Sequence, residues 1–352
     1  MQNDRPRRRR NGSNTPTRCT EVGAGVGAGI RVGAGIRAGA GIRAGVGAIL
    51  ALVIASCSTP GGTLDRSIAA PATTSSTNLA SDDGGDPVLV AAGDIAACQD
   101  DNRAAETAAL IGPHVDVIAT LGDHAYNDST ARQFADCYEP TWGALRAKTR
   151  PVPGNHDYHS TDAQPYYSYF GDAAGDPAQG WYSYELGAWH VVALNSECGE
   201  IGGCGRDSEQ VKWLRGDLAA HPSVCLAAYW HKPRFSSGVH GSSITFKPFW
   251  EVLAEYGADV ILNGHDHDYE RFAPQSPDGV SDPLGAREFV VGTGGKDLRR
   301  FASDEPNRDA RDSDTHGVLE LTLHADSYDW QFLPIPGGKF SDAGTASCSP
   351  TE

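Results

Sequence analysis

The sequence predicts an α/β domain, a four-layer α/β/β/α sandwich of two mixed β-sheets flanked by helices. Three observations lead there. Short apolar runs recur, each ending in a carboxylate, amide or imidazole, usually behind a glycine. Helical patterns lie between those runs. The last third of the chain turns to β-like segments separated by turns.

The apolar runs are Val88–Ala92 before Gly93-Asp94, Val115–Leu121 before Gly122-Asp123-His124-Ala125-Tyr126, and Arg150–Pro153 before Gly154-Asn155-His156-Asp157. Cys225–Trp230 then leads to His231-Lys232-Pro233, and Ala258–Leu262 leads to Gly264-His265-Asp266-His267-Asp268-Tyr269-Glu270-Arg271. Runs this short and continuous suit strands covered on both faces. A glycine at the exit lets the backbone turn sharply. Open α/β sheets place ligands at the carboxyl ends of their strands. If the strands lie side by side, their ends form one cluster of O and N donors.

Between the runs, Arg103–Ile111 is alanine-rich and stops at Gly112-Pro113. Thr130–Ala147 has amphipathic spacing interrupted near Pro140. Ser208 caps a helix reaching Ala220, and Pro248–Tyr256 forms another that ends at Gly257. In the last third, Glu288–Val291, Gly317–Leu323 and Ser327–Phe332 read as strands joined antiparallel into the second sheet, with 303–315 a solvated loop. Gly292-Thr293-Gly294-Gly295 lacks P-loop spacing and reads as a turn.

The N-terminal part is not foldable material. Arginines crowd residues 5–10, and a Gly/Ala tract spans 22–47. Ala44–Ser56 is an apolar run behind Arg37 and Arg43, which reads as a secretory signal. It is too short for a membrane span, which needs about 20 residues. Ile54-Ala55-Ser56-Cys57 resembles a bacterial lipobox, so 1–57 is read as a signal peptide ending at a lipidated Cys57. Residues 58–86 have flexible-linker composition, leaving 87–352 as the catalytic domain. The expected location is outside the cytoplasmic membrane, lipid-anchored on its outer face, with no other membrane contact.

Charge excludes one class of partner. Residues 1–56 hold nine arginines, one Asp and one Glu, so their +7 leaves −23 on the remainder of a chain whose net charge is −16. A domain so acidic, without a basic stripe, is not a nucleic-acid binder.

Of eight cysteines, Cys19 and Cys57 lie in the leader, and six remain. An even number in an exported protein favours disulfides, and fifteen pairings are open. The reading favours Cys198–Cys204, Cys98–Cys137 and Cys225–Cys348. No C-x-x-C pair argues for zinc at these cysteines.

Asp94, Asp123, Asn155, His231, His265 and His267 are too many donors for one catalytic zinc, which takes three protein ligands. They suit two cations about 3.5–4 Å apart, which lower the pKa of a bridging water and clamp a tetrahedral phosphorus. Mixed oxygen and imidazole donors favour Fe, Mn or Zn.

These blocks, in this order, resemble the signature of the calcineurin-like metallophosphoesterase superfamily, from about residue 88 to the end. Most of that superfamily carries a histidine two residues after the first Asp, and here Ala96 stands there. Tyr126, three residues after Asp123, and Trp230-His231-x-Pro233 resemble the purple acid phosphatase branch in its bacterial, single-domain form.

The resemblance implies a phosphomonoesterase in which a metal-bridging hydroxide attacks phosphorus. One metal, Fe(III), would be held by Asp94, Tyr126, His267 and Asp123. The second, Zn, Mn or Fe(II), would be held by Asn155, His231, His265 and Asp123. His156 would contact phosphate or protonate the leaving alkoxide, and His240 would be a substrate histidine. Gly241 departs from the branch, which often has a second histidine there. His124, Asp157, Glu270 and Arg271 read as supporting residues. The expected partner is a small phosphate ester. A phosphodiesterase or nucleotide pyrophosphatase on the same fold, and a surface binding module without turnover, stay open on the sequence alone.

Overall fold

The computed structural model describes residues 84–349 apart from Asp100. The expected signal peptide, Cys57 and the linker up to residue 83 lie outside the described residues. In chain order the strands are β1 (Val88–Ala92), β2 (Ala96–Ala97), β3 (Val117–Thr120), β4 (Ala125–Tyr126), β5 (Thr149–Pro151), β6 (Tyr182–Leu186), β7 (Trp189–Ala193) and β8 (Cys225–Tyr229). They continue as β9 (Val260–Asn263), β10 (Tyr269–Phe272), β11 (Arg287–Val291), β12 (Arg308–Asp312), β13 (Gly317–Leu323), β14 (Ser327–Pro334) and β15 (Ala343–Ser347). The α-helices are α1 (Ala104–Ala108), α2 (Ala131–Gln133), α3 (Gln164–Phe170), α4 (Glu209–Ala220) and α5 (Lys247–Glu255).

Two large mixed sheets result, ordered β15-β14-β13-β1-β3-β5 and β12-β10-β11-β9-β8-β7-β6. β1, β3 and β5 run parallel, as do β7, β8, β9 and β11. The continuous apolar character of these strands has a direct cause. Val191, Ala227, Tyr229, Val260, Leu262 and Phe289 face the core shared with the other sheet. Their neighbours Val192, Leu226, Ala228, Ile261 and Val290 pack with Val211, Leu214 and Leu218 of α4 and Trp250 and Leu253 of α5. Both faces are buried, so no polar alternation survives. Ser208 accepts from Val211 N at the start of α4, and Gly257 takes a left-handed φ of 72° just past α5.

Three expectations are corrected. The late strands do not form the second sheet together: β13 and β14 join β1 in the first sheet, while β11 lies parallel to β9 in the other. Residues 303–315 are not wholly a loop, because β12 pairs with β10 as an edge strand. Its alternating Arg and Asp residues, which read as loop polarity, suit an edge that must avoid further pairing. The Thr130–Ala147 segment breaks near Pro140 as expected, but it is not a regular α-helix on either side: α2 runs into a π-helical turn (Phe134–Tyr138), and a 3-10 turn (Gly143–Lys148) follows the break.

Disulfides join Cys98–Cys137, Cys198–Cys204 and Cys225–Cys348, with Cα–Cα distances of 5.3, 5.2 and 5.4 Å. The last ties the C-terminal segment to the central strand β8.

Candidate metal centre

The five block-bearing runs lie in both sheets, β1, β3 and β5 in one, β8 and β9 in the other. The site therefore forms where the exits of two stacked sheets face each other. Close backbone approach makes this possible. A Cβ on Gly264 would lie 2.7 Å from Asp94 Oδ2, and one on Gly154 would collide with the Asp123 carboxylate. Asp94, Asp123 and His265 all take left-handed backbone conformations (φ 58°, 54° and 72°). Each costs an L-residue about 1 kcal/mol, and such strain concentrates at functional sites.

Asp94 and Asp123 are buried carboxylates on either side of one phenol. Tyr126 Oη lies 2.7 Å from Asp94 Oδ1, 2.9 Å from Asp123 Oδ2 and 3.2 Å from His267 Nε2. His267 Nε2 is also 3.3 Å from Asp94 Oδ1. On the other side, His231 Nε2 lies 3.4 Å from Asp123 Oδ2, 3.2 Å from Asn155 Oδ1 and 3.2 Å from His265 Nδ1. Asp123 Oδ2 is common to both groups.

Tautomers follow from the neighbours. His231 Nδ1 donates to Leu121 O and His267 Nδ1 donates to Asp297 O, each at 2.7 Å. A carbonyl only accepts, so the ring nitrogens facing the cluster, Nε2 in both, are left to offer lone pairs. Lone pairs on nitrogen thus converge with carboxylate, amide and phenol oxygens in a buried space. Asp94, Asp123 and His231 alone offer ligand atoms all within 4.8 Å of one another. Such a set calls for positive charge. Burial opposes ionised Asp123, yet His231, His156 and His265 hold its carboxyl far below the usual range. Burial likewise disfavours charged His231, but Asp123 pushes the imidazole up to about 10. The donor set fits metal ions.

His156 sits at the edge, its ring 4.5 Å from that of Tyr126 and its backbone N–H donating to Asp123 Oδ1 at 2.9 Å. Its Nδ1 donates to Asn127 O at 2.5 Å, leaving Nε2 3.8 Å from Asp123 Oδ2. His240 stacks on His265 with ring centroids 4.2 Å apart. Its Nε2 lies 3.1 Å from Arg299 Nη1, and a guanidinium only donates, so that nitrogen accepts.

The structure thus brings Asp94, Asp123, Tyr126, Asn155, His156, His231, His265 and His267 together, with His240 beside them. Among the supporting residues, Asp157 accepts from Asp123 N, Gly154 N, Ser129 Oγ and the ring of His124. Glu270 accepts from Ser237 N, and Arg271 pairs with Asp342.

Sequence reasoning missed others. Asp266, between the two histidines of its block, accepts from His240 N at 2.8 Å and Ser236 Oγ at 2.5 Å. It thereby fixes the His240 loop to the His265–His267 turn. Lys296 Nζ lies 5.4 Å from the Tyr126 ring centroid. Neither Lys296 nor Arg299 falls in a patterned segment. The glycine turn at 292–295, whose Gly294 N donates to Gly93 O, was the available signal for them.

Stacked mixed sheets with a two-sided donor cluster at their exits define a metallophosphoesterase, and the chain belongs to the calcineurin-like phosphoesterase family, which it matches over residues 87–269. Its curated relatives include acid phosphatase type 7 of Mus musculus, 27% identical, with 51% of this chain and 48% of the relative covered. Purple acid phosphatase 15 of Arabidopsis thaliana is 29% identical, with 53% and 41% covered. The chain thus spans about half the length of the curated relatives it matches. The family is the superfamily expected from the blocks, and these relatives include members of the branch the blocks resemble.

In fold, it is similar to purple acid phosphatase PPD1 from yellow lupin (Lupinus luteus) seeds, with TM-score 0.66 and 18% identity over 74% of this chain and 53% of that one. GAP50, the anchor in the inner membrane complex of Plasmodium, has TM-score 0.58 and 12% identity over 76% and 90%.

Proposed function

We propose that this chain is a binuclear metal-dependent phosphomonoesterase acting outside the cytoplasmic membrane. The observation that carries the reading is Asp123 Oδ2, which stands within 2.9 Å of Tyr126 Oη on one side and 3.4 Å of His231 Nε2 on the other. One carboxylate oxygen so placed can serve two cations. Asp94, Tyr126, His267 and Asp123 would hold the first, and the hard, anionic phenolate suits Fe(III). Asn155, His231, His265 and Asp123 would hold the second, Zn, Mn or Fe(II). When bound, the pair supplies positive charge that eases deprotonation of an attacking water and offsets charge on the phosphoryl oxygens.

The remaining steps belong to the chain itself. Leu121 O and Asp297 O keep the lone pairs of His231 and His267 aimed inward. With its Nδ1 proton committed to Asn127 O, His156 can hold a second proton on Nε2 and deliver it to the departing alkoxide. His240, engaged by Arg299 at Nε2, orients the phosphoryl group. Three disulfides using all six cysteines among the described residues support an exported protein. Among the described residues no helix is long and apolar enough to cross a membrane. The reading retains lipidation at Cys57 as its anchor.

The test is hydrolysis of p-nitrophenyl phosphate against bis-p-nitrophenyl phosphate by wild type and Asp123→Asn. The reading expects the monoester to be faster, and the variant to be folded but inactive. Undiminished monoester turnover by that variant would remove the mechanism.

A further inference from the structure

A cavity of about 500 Å³ adjoins the cluster, and both His265 and His240 line it. We propose that this cavity receives the alcohol part of the ester and selects neutral or cationic alcohols over those bearing a second anionic group. The inference rests on the phosphoesterase reading above. An ester whose phosphoryl group meets the donors at His265 has this space beside it. The volume suits one small ligand.

Charge in its wall decides the selection. Lys232 Nζ lies 2.6 Å from Glu197 Oε2, and that glutamate side chain is only 8% exposed. Lys232 N also donates to Ser196 Oγ at 3.1 Å, holding the lysine backbone against the same turn. The lysine charge is therefore cancelled inside the wall rather than offered to a ligand. Glu200 adds a further, exposed carboxylate. Its N–H donates to Glu197 O at 2.9 Å, and the Cys198–Cys204 disulfide closes the loop that carries Glu200, next to Glu197. Pro233, Phe246, Ser243 and Thr245 supply uncharged lining. The lining holds two carboxylates against one ammonium, and Arg299, which contacts His240 Nε2, is not part of it. A phosphate or carboxylate on the alcohol would meet net negative charge and no free cation among the described lining residues. An ammonium group would meet Glu200. Discrimination of this kind works by penalising the wrong partner as much as by rewarding the right one.

Three non-hydrolysable phosphonates of similar size differ only in the charge of their tails: 2-aminoethylphosphonate, propylphosphonate and 3-phosphonopropionate. Calorimetric titration of the metal-loaded full chain should rank them in that order. One screened charge should give about a tenfold spread in Kd between the extremes. Glu200→Lys should collapse or invert the spread. A flat or reversed order in wild type, or no binding of any of the three, overturns the inference. Turnover of p-nitrophenyl phosphate on the same preparation reads the other claim separately. Turnover with a flat order leaves the phosphoesterase reading and removes the selectivity, whereas the expected order without turnover removes the phosphoesterase reading and with it the assignment of the cavity to an ester's alcohol.

Discussion

Tyr126 Oη and Asp94 Oδ1 meet at 2.7 Å in a fully buried space, although 32 residues separate them in the chain. β2 and β4 bring them together, pairing in parallel with Ala97 opposite Tyr126. Burial and the adjacent Asp123 and Asp94 carboxylates drive the phenol well above its ordinary value, so without a cation it stays protonated and donates.

Tyr126→Phe should therefore be tolerated by the fold, at about 1 kcal/mol for the lost hydrogen bond. On the proposed Fe(III) assignment, bound metal should fall by one equivalent, and the violet phenolate-to-iron absorption expected of the wild type should be missing. An unchanged visible spectrum would remove Tyr126 from the ligand set.

Asp157 gathers Asp123 N, Gly154 N, Ser129 Oγ and His124 around one buried carboxylate. Asp157→Ala should destabilise the chain by about 3 kcal/mol, since it strands several buried donors. Because the lost bonds position Asp123 and Gly154, metal affinity should fall as well. Chemical denaturation and metal titration check the two effects.

His190 bridges Glu185 (2.7 Å), its cross-strand partner on β6, and Asp217 (2.9 Å) on α4. Burial opposes its charge, but bonds to Asp217 and Glu185 outweigh that and raise its pKa above 6.5. The folded chain then holds this proton more tightly than the unfolded one. Its stabilisation is complete below about pH 6.5 and fades as pH rises through the folded value. His190→Gln should destabilise by about 1–3 kcal/mol at pH 5.5 and by less at pH 9. Equal losses at both would contradict this.

Cys225–Cys348 closes a loop with sequence separation 123. Replacing both cysteines by alanine should lower stability by about 2–4 kcal/mol. The donor cluster lies at the opposite end of β8 from Cys225, so the proposed monoester turnover at 25 °C should survive. Thermal melts of the variant and wild type measure the loss.

The donors were legible because they stand at the exits of buried runs, most of them just behind a glycine, and that local pattern survives without knowing the topology. Sheet assignment was not legible in the same way. β11 and β13 have similar β-like composition, but their partners are fixed by long-range packing, Phe289 beside Leu262 and Val90 beside Glu320. β12 was missed because an edge strand of alternating Arg and Asp looks like a loop until β10 is beside it. Asp266, Arg299 and the Lys232–Glu197 pair carry no spacing signature. Their roles arise from contacts between loops, which the order of residues does not encode.

The central claim is that donors on two stacked sheets share a pair of cations through Asp123. Metal analysis of the purified full chain, alongside phosphatase turnover, tests it most directly. The account predicts two equivalents per chain in wild type, and one or fewer in an inactive Asp123→Asn. A wild-type chain that hydrolyses the monoester at full rate with one equivalent or none would contradict it.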